Sequence, residues 1–235
     1  MRYAVYFTPA REEPLARTAA GWLGRDAYGG EVARYEGIAD LSAAEIAFHT
    51  ASARRYGFHA TLKAPFKLAR DQDEASLIAA FDAFCAAHPA VVVPHTRLAQ
   101  MDGYFAIVPA ERLPELDTLA AEIVRGFEPF RAPLSEAEIA RRSPESLTAA
   151  QLRNLHGWGY PYIFDEFRFH MTLTGRVSQA DSPRMARAIE TAFGSLLAGP
   201  LAIDTLALFV EPEPAAPFIV HTARALGVKR QRKSA

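Results

Sequence analysis

Cysteine is nearly absent from this sequence, since Cys85 is the only one among 235 residues. One cysteine cannot form an intrachain disulfide, so the disulfide-rich scaffolds of small secreted proteins are excluded. No stretch approaches the roughly 18 consecutive apolar residues of a membrane-spanning helix. The residues before Arg11 have the character of a strand rather than of a leader peptide. We therefore expect a cytoplasmic protein with no membrane partner.

Neither sign of charge dominates, because 26 lysines and arginines face 27 aspartates and glutamates, for a net charge of -1. A general affinity for polyanions is excluded, and any phosphate contact must come from a local cluster of cations. Nucleic acid is a partner that the sequence allows but does not favour. Half of the residues are hydrophobic, which is enough for a core and excludes wholesale disorder.

Several well-known functional motifs are missing. There is no Gly-x-Ser-x-Gly elbow, no Gly-x-x-x-x-Gly-Lys phosphate loop and no His-Glu-x-x-His sequence. The seven histidines include no His-x-x-x-His pair, and a single cysteine rules out Cys-x-x-Cys, so the spacing does not favour metal ligation. We expect neither a metal site nor a cofactor.

Predicted strands and helices follow a repeating order. After residue 56 the order is strand, helix, strand, strand, and the same order returns after residue 166. Such a repeat predicts a bilobed, duplicated α+β fold, in which two mainly antiparallel sheets with flanking helices surround a central cleft. No low-complexity linker divides the chain, so we expect residues 1–235 to form a single bilobed domain, and we leave its oligomeric state open.

Each repeat opens with the same pattern, Phe-His-x-Thr-Leu, at residues 58–62 and 169–173. Side chains alternate between the two faces of a strand, so the Phe and Leu positions share the core face and the His and Thr positions share the other. If the repeats are related by a two-fold axis, the two outer faces meet in the cleft. The residues predicted on those faces are His59, Thr61 and Lys63 in the first copy and His170, Thr172 and Thr174 in the second.

Two histidines beside two hydroxyls suit phosphodiester chemistry. The ordinary pKa of imidazole is about 6.5, so one neutral histidine can take a proton from water while a protonated one gives a proton to the leaving oxygen. Threonine hydroxyls can donate to phosphate oxygens. A single histidine on a strand is usually structural, but matching copies in a repeat favour a catalytic function.

Neighbouring residues are candidates for substrate binding. Tyr56 and Arg168 share the histidine faces, and a cation there would neutralise phosphate charge. Trp158 and Tyr160 lie in a segment rich in glycine, proline and aromatic residues. They either stack on a base or sugar or pack as a structured loop, and the sequence leaves both interpretations open.

The residues around both motifs resemble the two-histidine (2H) phosphoesterase superfamily, which includes RNA 2′,3′-cyclic phosphodiesterases. The strings at residues 54–66, 158–162 and 167–175 are similar to one branch, which is encoded with bacterial phosphonate-utilisation genes. The resemblance covers essentially the whole chain. It implies a duplicated α+β fold with two catalytic pairs, His59 with Thr61 and His170 with Thr172.

The resemblance implies a metal-independent phosphoesterase for a small phosphorylated substrate, acting on a cyclic phosphodiester by two-histidine acid–base catalysis. The phosphonate context favours a sugar cyclic phosphate such as phosphoribosyl 1,2-cyclic phosphate. An RNA or nucleotide 2′,3′-cyclic phosphate is the alternative substrate. A module that binds a phosphorylated metabolite or RNA end without turnover is the alternative class of function. The sequence does not indicate which histidine is the acid.

Overall fold

The computed structural model describes residues 1–30 and 32–227, and their strands form one large and two small sheets. The strand pairs of these residues are all antiparallel. The strands are β1 (Arg2–Phe7), β2 (Gly37–Ile38), β3 (Leu41–Ser42), β4 (Ala60–Phe66), β5 (Val91–Val93), β6 (Thr96–Met101), β7 (Tyr104–Pro109), β8 (Met171–Arg176), β9 (Leu201–Ile203), β10 (Thr205–Glu211) and β11 (Ile219–Ala225).

The two motif strands lie next to each other inside the large sheet. Its seven strands have the order β11-β10-β1-β4-β8-β7-β6, while β2-β3 and β5-β9 form the small sheets. Strands β4 and β8 meet through one residue pair, Ala60 opposite Met171. The predicted α+β class is therefore confirmed, and the two predicted antiparallel sheets are joined edge to edge at this pair.

Alternation along the central strands divides the sheet into a core face and a second face. Val5 and Phe7 of β1 point into the large hydrophobic core, together with Leu62 and Leu173. Tyr6, between them in sequence, belongs to a smaller buried cluster on the opposite face. The second face also carries the histidine and threonine positions of both motifs, because each of them is one residue away from a core position.

Helices cover the core face and flank the sheet. Trp22 illustrates the packing: its indole meets the ring of Phe193 edge to face at 5.9 Å, and its Nε1 donates a hydrogen bond to the Leu173 carbonyl of β8. The helices are α1 (Pro14–Leu23), α2 (Ala43–His49), α3 (Ala51–Tyr56), α4 (Glu74–Ala87), α5 (Pro114–Gly126), α6 (Glu136–Ala140), α7 (Ala149–Trp158) and α8 (Ser182–Leu197).

Local sequence explains several helix ends. Helix α2 begins at a capping box, in which the Ser42 hydroxyl accepts from the Glu45 amide and the Glu45 carboxylate accepts from the Ser42 amide. Helix α1 starts with proline and ends at Gly24, whose φ of 68° favours glycine. None of the helices in the described ranges is long and apolar enough to cross a bilayer.

The second motif strand starts later than the sequence predicts. The repeat predicts a strand directly after residue 166, but Phe164–Glu166 form a short 3-10 turn and β8 begins at Met171. His170 thus stands at the entry to its strand, as His59 stands at the entry to β4. The two histidines occupy equivalent positions in the two halves.

Candidate active site

The β4–β8 register brings the two motifs together. Ala60 lies opposite Met171 in an antiparallel pair, so the residues that flank each of them are cross-strand neighbours on the second face. His59 therefore neighbours Thr172, and His170 neighbours Thr61. The two histidines are diagonal to each other across the junction of the half-sheets, as a two-fold arrangement requires.

The four side chains line two adjoining cavities. One, the His59 cavity, has a volume of about 280 Å³ and is lined by His59, Thr61 and Thr172 among others. The other, the His170 cavity, has a volume of about 430 Å³ and is lined by His170 and again by Thr61. Tyr160 also lines both cavities. Shared walls make the two cavities one cleft, with a histidine in each half.

His59 is oriented by the backbone that precedes it. Its Nδ1 donates to the Gly57 carbonyl over 2.9 Å, and its Nε2 lies 3.2 Å from the Thr61 hydroxyl oxygen. Because Nδ1 carries the proton, Nε2 keeps its lone pair and accepts from that hydroxyl. Gly57 has a φ of 75°, and a Cβ there would lie 2.6 Å from the Cβ of Ala27. The turn that aims this carbonyl therefore requires glycine.

His170 is oriented by the same kind of hydrogen bond to the preceding backbone. Its Nδ1 donates to the carbonyl of Arg168, two residues earlier, over 2.7 Å. The other ring nitrogen, Nε2, is again left unprotonated, since a neutral imidazole carries only one N–H. Each motif thus presents a basic nitrogen, and the identical i to i-2 contact follows from the identical local sequence pattern.

Burial shifts both imidazoles toward the neutral form. Desolvation lowers the pKa of His59 from 6.5 to about 4; the hydrogen bond to Gly57 opposes this, and a positive charge on His170 adds to it. Burial also lowers the pKa of His170, opposed by the hydrogen bond to the Arg168 carbonyl. A proton on His170 therefore further disfavours protonation of His59.

Tyr6 is a site residue that sequence reasoning missed. Its ring stacks on the His59 imidazole with the centroids 3.9 Å apart and the planes inclined by 24°. Burial raises the pKa of the Tyr6 phenol well above its usual 10. Tyr6 lies opposite Thr61 in the β1–β4 ladder. Alternation on β1 could have identified its face, but only the pairing of β1 with β4 shows that this face is the cleft.

Three of the predicted binding residues do line the cleft. Tyr56 lines the His59 cavity, with its ring centroid 6.0 Å from that of His59. Tyr160 lies between the two cavities. Arg168 lines the His170 cavity, and its guanidinium donates to the carbonyls of Asp165 and Phe167.

Lys63 does not face the cleft, so its predicted placement is wrong. The β1–β4 register shifts between Tyr6 opposite Thr61 and Val5 opposite Lys63, which marks a β-bulge. A bulge adds one residue to a strand and reverses the alternation beyond it. Lys63 therefore turns toward the core side, where its Nζ donates to the Val124 carbonyl over 3.0 Å and pairs with Glu128 at 2.9 Å.

Trp158 is also outside the cleft. It is the last residue of α7, and its ring packs edge to face against Phe164 with the centroids 5.1 Å apart. Of the two interpretations that the sequence left open for this aromatic segment, packing holds for Trp158. Tyr160, two residues further on, lines the cleft instead because the helix ends at Gly159 in a left-handed turn with φ of 77°.

Two arginines that the sequence did not single out, Arg2 and Arg142, line the His59 cavity. Within residues 1–30 and 32–227, no carboxylate lines this cavity, so it favours an anion. Arg142 comes from the irregular middle of the chain, and no local sequence signal connects it to the motif. In the same residues, no group of three or more His, Cys, Asp or Glu side chains is arranged to hold a metal ion.

Comparison with known proteins finds a matching family and curated relatives. The model of the family described as "Protein of unknown function (DUF1045)" matches residues 61–219. A ribose 1,5-bisphosphate phosphokinase PhnN of Janthinobacterium sp. (strain Marseille) is 40% identical over 93% of this chain and 49% of its own length. A protein of the same name from Laribacter hongkongensis (strain HLHK9) is 36% identical over 93% of this chain and 50% of its own length. The chain thus spans about half the length of these relatives.

Solved structures with similarity to this chain have low identity and low TM-scores. The first is described as a phosphoesterase and is 14% identical, with a TM-score of 0.42. The similarity covers 96% of this chain and 98% of that one, and the coverages below are given in the same order. The second is E. coli LigT complexed with 3′-AMP, with 12% identity, coverage of 96% and 97% and a TM-score of 0.42. The third is the protein TT0787 of Thermus thermophilus, with 15% identity, coverage of 97% and 98% and a TM-score of 0.45.

Proposed function

The chain belongs to the DUF1045 family of proteins of unknown function, and we propose that it is a phosphoesterase that opens a cyclic phosphodiester. One observation carries the proposal. Two imidazoles, each with Nδ1 bound to the carbonyl two residues earlier and Nε2 unprotonated, line a single cleft with two threonine hydroxyls. In the proposed reaction one imidazole acts as the base, and the other acts as the acid once its Nε2 is protonated.

We propose that His59, whose pKa is lowered by desolvation and by a positive charge on His170, is the base and takes a proton from water through Nε2. The water oxygen forms a bond to phosphorus as one ring ester P–O bond breaks. His170, protonated at Nε2, gives its proton to the departing sugar oxygen. The products are a phosphate monoester and a free hydroxyl. At the end of the step His59 is protonated and His170 is neutral.

The remaining cleft residues stabilise the phosphate. Thr61 and Thr172 stand two residues beyond the two histidines. When substrate binds, the Thr61 hydroxyl turns from His59 Nε2 to the phosphate, and both threonines donate to nonbridging oxygens, whose negative charge increases during attack. Arg142 adds positive charge in the His59 cavity beside Arg2, which pairs with the buried Glu211. No step of this route requires a metal ion or a cofactor, and we expect the reaction to take place in the cytoplasm.

A small sugar cyclic phosphate is the favoured substrate class. Cavities of about 280 and 430 Å³ suit a sugar phosphate. The chain resembles the phosphonate-operon branch, and the PhnN-named relatives, whose name refers to a ribose bisphosphate, fit that branch. Phosphoribosyl 1,2-cyclic phosphate is accordingly the first substrate to test, with a link to phosphonate metabolism.

A nucleotide or RNA 2′,3′-cyclic phosphate is the second candidate. Tyr56 and Tyr160 line the cleft and offer aromatic surface on which a base can stack. A non-catalytic module for a phosphorylated metabolite or RNA end would use the same cleft, but it would not need two unprotonated imidazole nitrogens.

Turnover of a panel of cyclic phosphates, followed by ³¹P NMR with EDTA present, tests the proposal. We expect conversion of at least one cyclic phosphate to a monoester, and loss of that conversion in His59→Ala and in His170→Ala. His95→Ala, which changes an exposed histidine between β5 and β6, is the matched control. Tight binding without turnover would instead support the binding module, and dependence on added zinc or manganese would contradict the metal-free route.

A further inference from the structure

A groove next to the active-site cleft carries a strong positive charge. It has a volume of about 270 Å³ and shares Arg2, Tyr56, Pro65 and Arg142 with the His59 cavity. One molecule can therefore occupy both the cavity and the groove. We call this feature the basic groove, after the five cations that line it: Arg2, Arg55, Lys67, Arg141 and Arg142.

Carboxylates neutralise only part of this charge. Glu138 lines the groove and pairs with Lys67 at 2.8 Å. Glu211, only 1% exposed, lies beneath the groove and pairs with both Arg2 and Arg55. In the part of the chain that the structure describes, five cations thus face two carboxylates.

Two arginines of the groove are available for a ligand. Within residues 1–30 and 32–227, neither Arg141 nor Arg142 forms an ion pair. Arg142 lies over the Tyr160 ring, 5.4 Å from its centroid. A planar guanidinium presents a fork of N–H donors that matches the oxygens of a phosphate.

The other half of the cleft has no equivalent. In the His170 cavity the cations Arg168 and Arg176 are balanced by the carboxylates of Asp102 and Glu166. The excess of positive charge is therefore confined to the His59 side. A ligand with a single anionic group would be held between the histidines and would leave the basic groove unused.

We propose that the basic groove binds a second phosphate of the same substrate, a terminal phosphate monoester. The substrate class is then a sugar that carries both a cyclic phosphodiester and a phosphate monoester, and this inference rests on the proposed function. A monoester carries about -1.5 to -2 charges at neutral pH and three oxygens in one place, which suits several cations around one small groove. A nucleic-acid strand instead distributes single charges along an extended path.

The test compares two substrates that differ only in the monoester: 5-phosphoribosyl 1,2-cyclic phosphate and ribosyl 1,2-cyclic phosphate. The double variant Lys67→Gln/Arg141→Gln removes two exposed cations that line the groove but not the His59 cavity. We expect it to raise KM about tenfold or more for the phosphorylated substrate and less than about twofold for the other. The variant Lys67→Gln/Arg141→Lys keeps the charge at position 141, so its KM for the phosphorylated substrate should rise less.

The matched control is Arg17→Gln/Arg153→Gln, which removes the same charge from exposed positions on α1 and α7. An equal loss on both substrates in the groove variant would mean general electrostatic attraction and would overturn the proposal. So would a loss confined to an oligonucleotide ending in a 2′,3′-cyclic phosphate, because the groove would then bind a phosphodiester backbone.

A binding experiment separates this inference from the proposed function. If the wild-type protein turns over neither substrate, the catalytic proposal fails, but binding of ribose 5-phosphate can still be measured by calorimetry. We expect wild-type binding that the groove variant weakens about tenfold and that the control variant leaves unchanged. Equal affinity of the wild type and the groove variant would overturn the second-phosphate site.

Discussion

The two halves of the cleft share a motif but provide different environments for it. In both, the histidine stands at the entry of a central strand and donates Nδ1 to the carbonyl two residues earlier. Tyr6 stacks on His59 at 3.9 Å, whereas the ring of Tyr104 lies 5.8 Å from that of His170 and is tilted by 51°. Among the described residues, arginines but no carboxylates line the His59 cavity, while both line the His170 cavity.

In the proposed mechanism, this difference in environment gives a duplicated motif two roles. Identical local geometry presents both imidazoles to the cleft in the same way, but it cannot decide which of them carries the proton. The environment of each ring comes from packing, since desolvation and a positive charge on His170 together lower the pKa of His59 to about 4. We infer that the pair thereby becomes a base and an acid.

Removal of either histidine should have the largest effect. His59→Ala and His170→Ala should each lower kcat by about 10²–10⁴-fold, because each removes an acid or base from one concerted step. The double variant should be little worse than the single ones, since the two groups act together. Steady-state kinetics checks this, with His95→Ala as the control. Near-wild-type turnover by the double variant would refute the mechanism.

The pH dependence should be displaced toward acid. Activity requires neutral His59 and protonated His170, so kcat/KM should fall below about pH 4, as His59 takes up a proton. On the alkaline side, kcat/KM should start to fall below pH 6.5, because burial lowers the pKa at which His170 loses its proton. The slope of this limb should be about tenfold per pH unit. The profile should be bell-shaped and belong to the coupled pair. A rate that rises steadily through neutral pH would contradict the acid–base assignment.

The two threonines should differ in importance. Thr61 contacts His59 Nε2 and lines both cavities, whereas Thr172 lines one. Thr61→Val and Thr172→Val should each cost about 1–3 kcal/mol of transition-state stabilisation, with the larger loss at Thr61. Values of kcat/KM measure this, and Thr118→Val on the surface of α5 is the control. A larger loss at Thr172 would show that Thr61 serves only to orient His59.

Tyr6 should set the difference between the two imidazoles. Tyr6→Leu removes the ring that covers His59, and readmitted water should raise the pKa of His59 toward its usual 6.5. The acid limb of the kcat/KM profile should then move to higher pH by about one unit. Tyr6→Phe keeps the ring and should keep the limb in place. If Tyr6→Leu also leaves the limb unmoved, stacking does not control this pKa.

Lys63 should have the smallest effect on turnover. Lys63→Met should leave kcat/KM within about twofold, because the side chain points away from the cleft. It should lower the free energy of unfolding by about 1–3 kcal/mol, since the buried pair with Glu128 is lost while Arg131 still pairs with that carboxylate at 2.6 Å. Urea unfolding and kinetics measure the two effects, and Arg17→Gln is the control. A large loss of kcat/KM would place Lys63 in the site after all.

The sequence predicted the parts of the fold and site that depend on local pattern. Strand alternation in two copies of Phe-His-x-Thr-Leu indicated which side chains share a face, and both histidines and both threonines do line the cleft. The same reasoning failed at Lys63, because a bulge reverses alternation and depends on how β4 pairs with β1. It had no means of finding Tyr6 or Arg142, which reach the site only through long-range packing.

The sequence by itself therefore determined the motif, the α+β class and the orientation of each imidazole, because alternation and the contact between residues i and i-2 are set by consecutive residues. Only the tertiary structure decided what surrounds each imidazole, where Lys63 points and where the basic groove lies. Desolvation, strand register and the clustering of cations depend on residues far apart in sequence, such as Arg2 and Arg142 beside His59. Their proximity arises when the sheet assembles and the irregular segment between α5 and β8 packs against it.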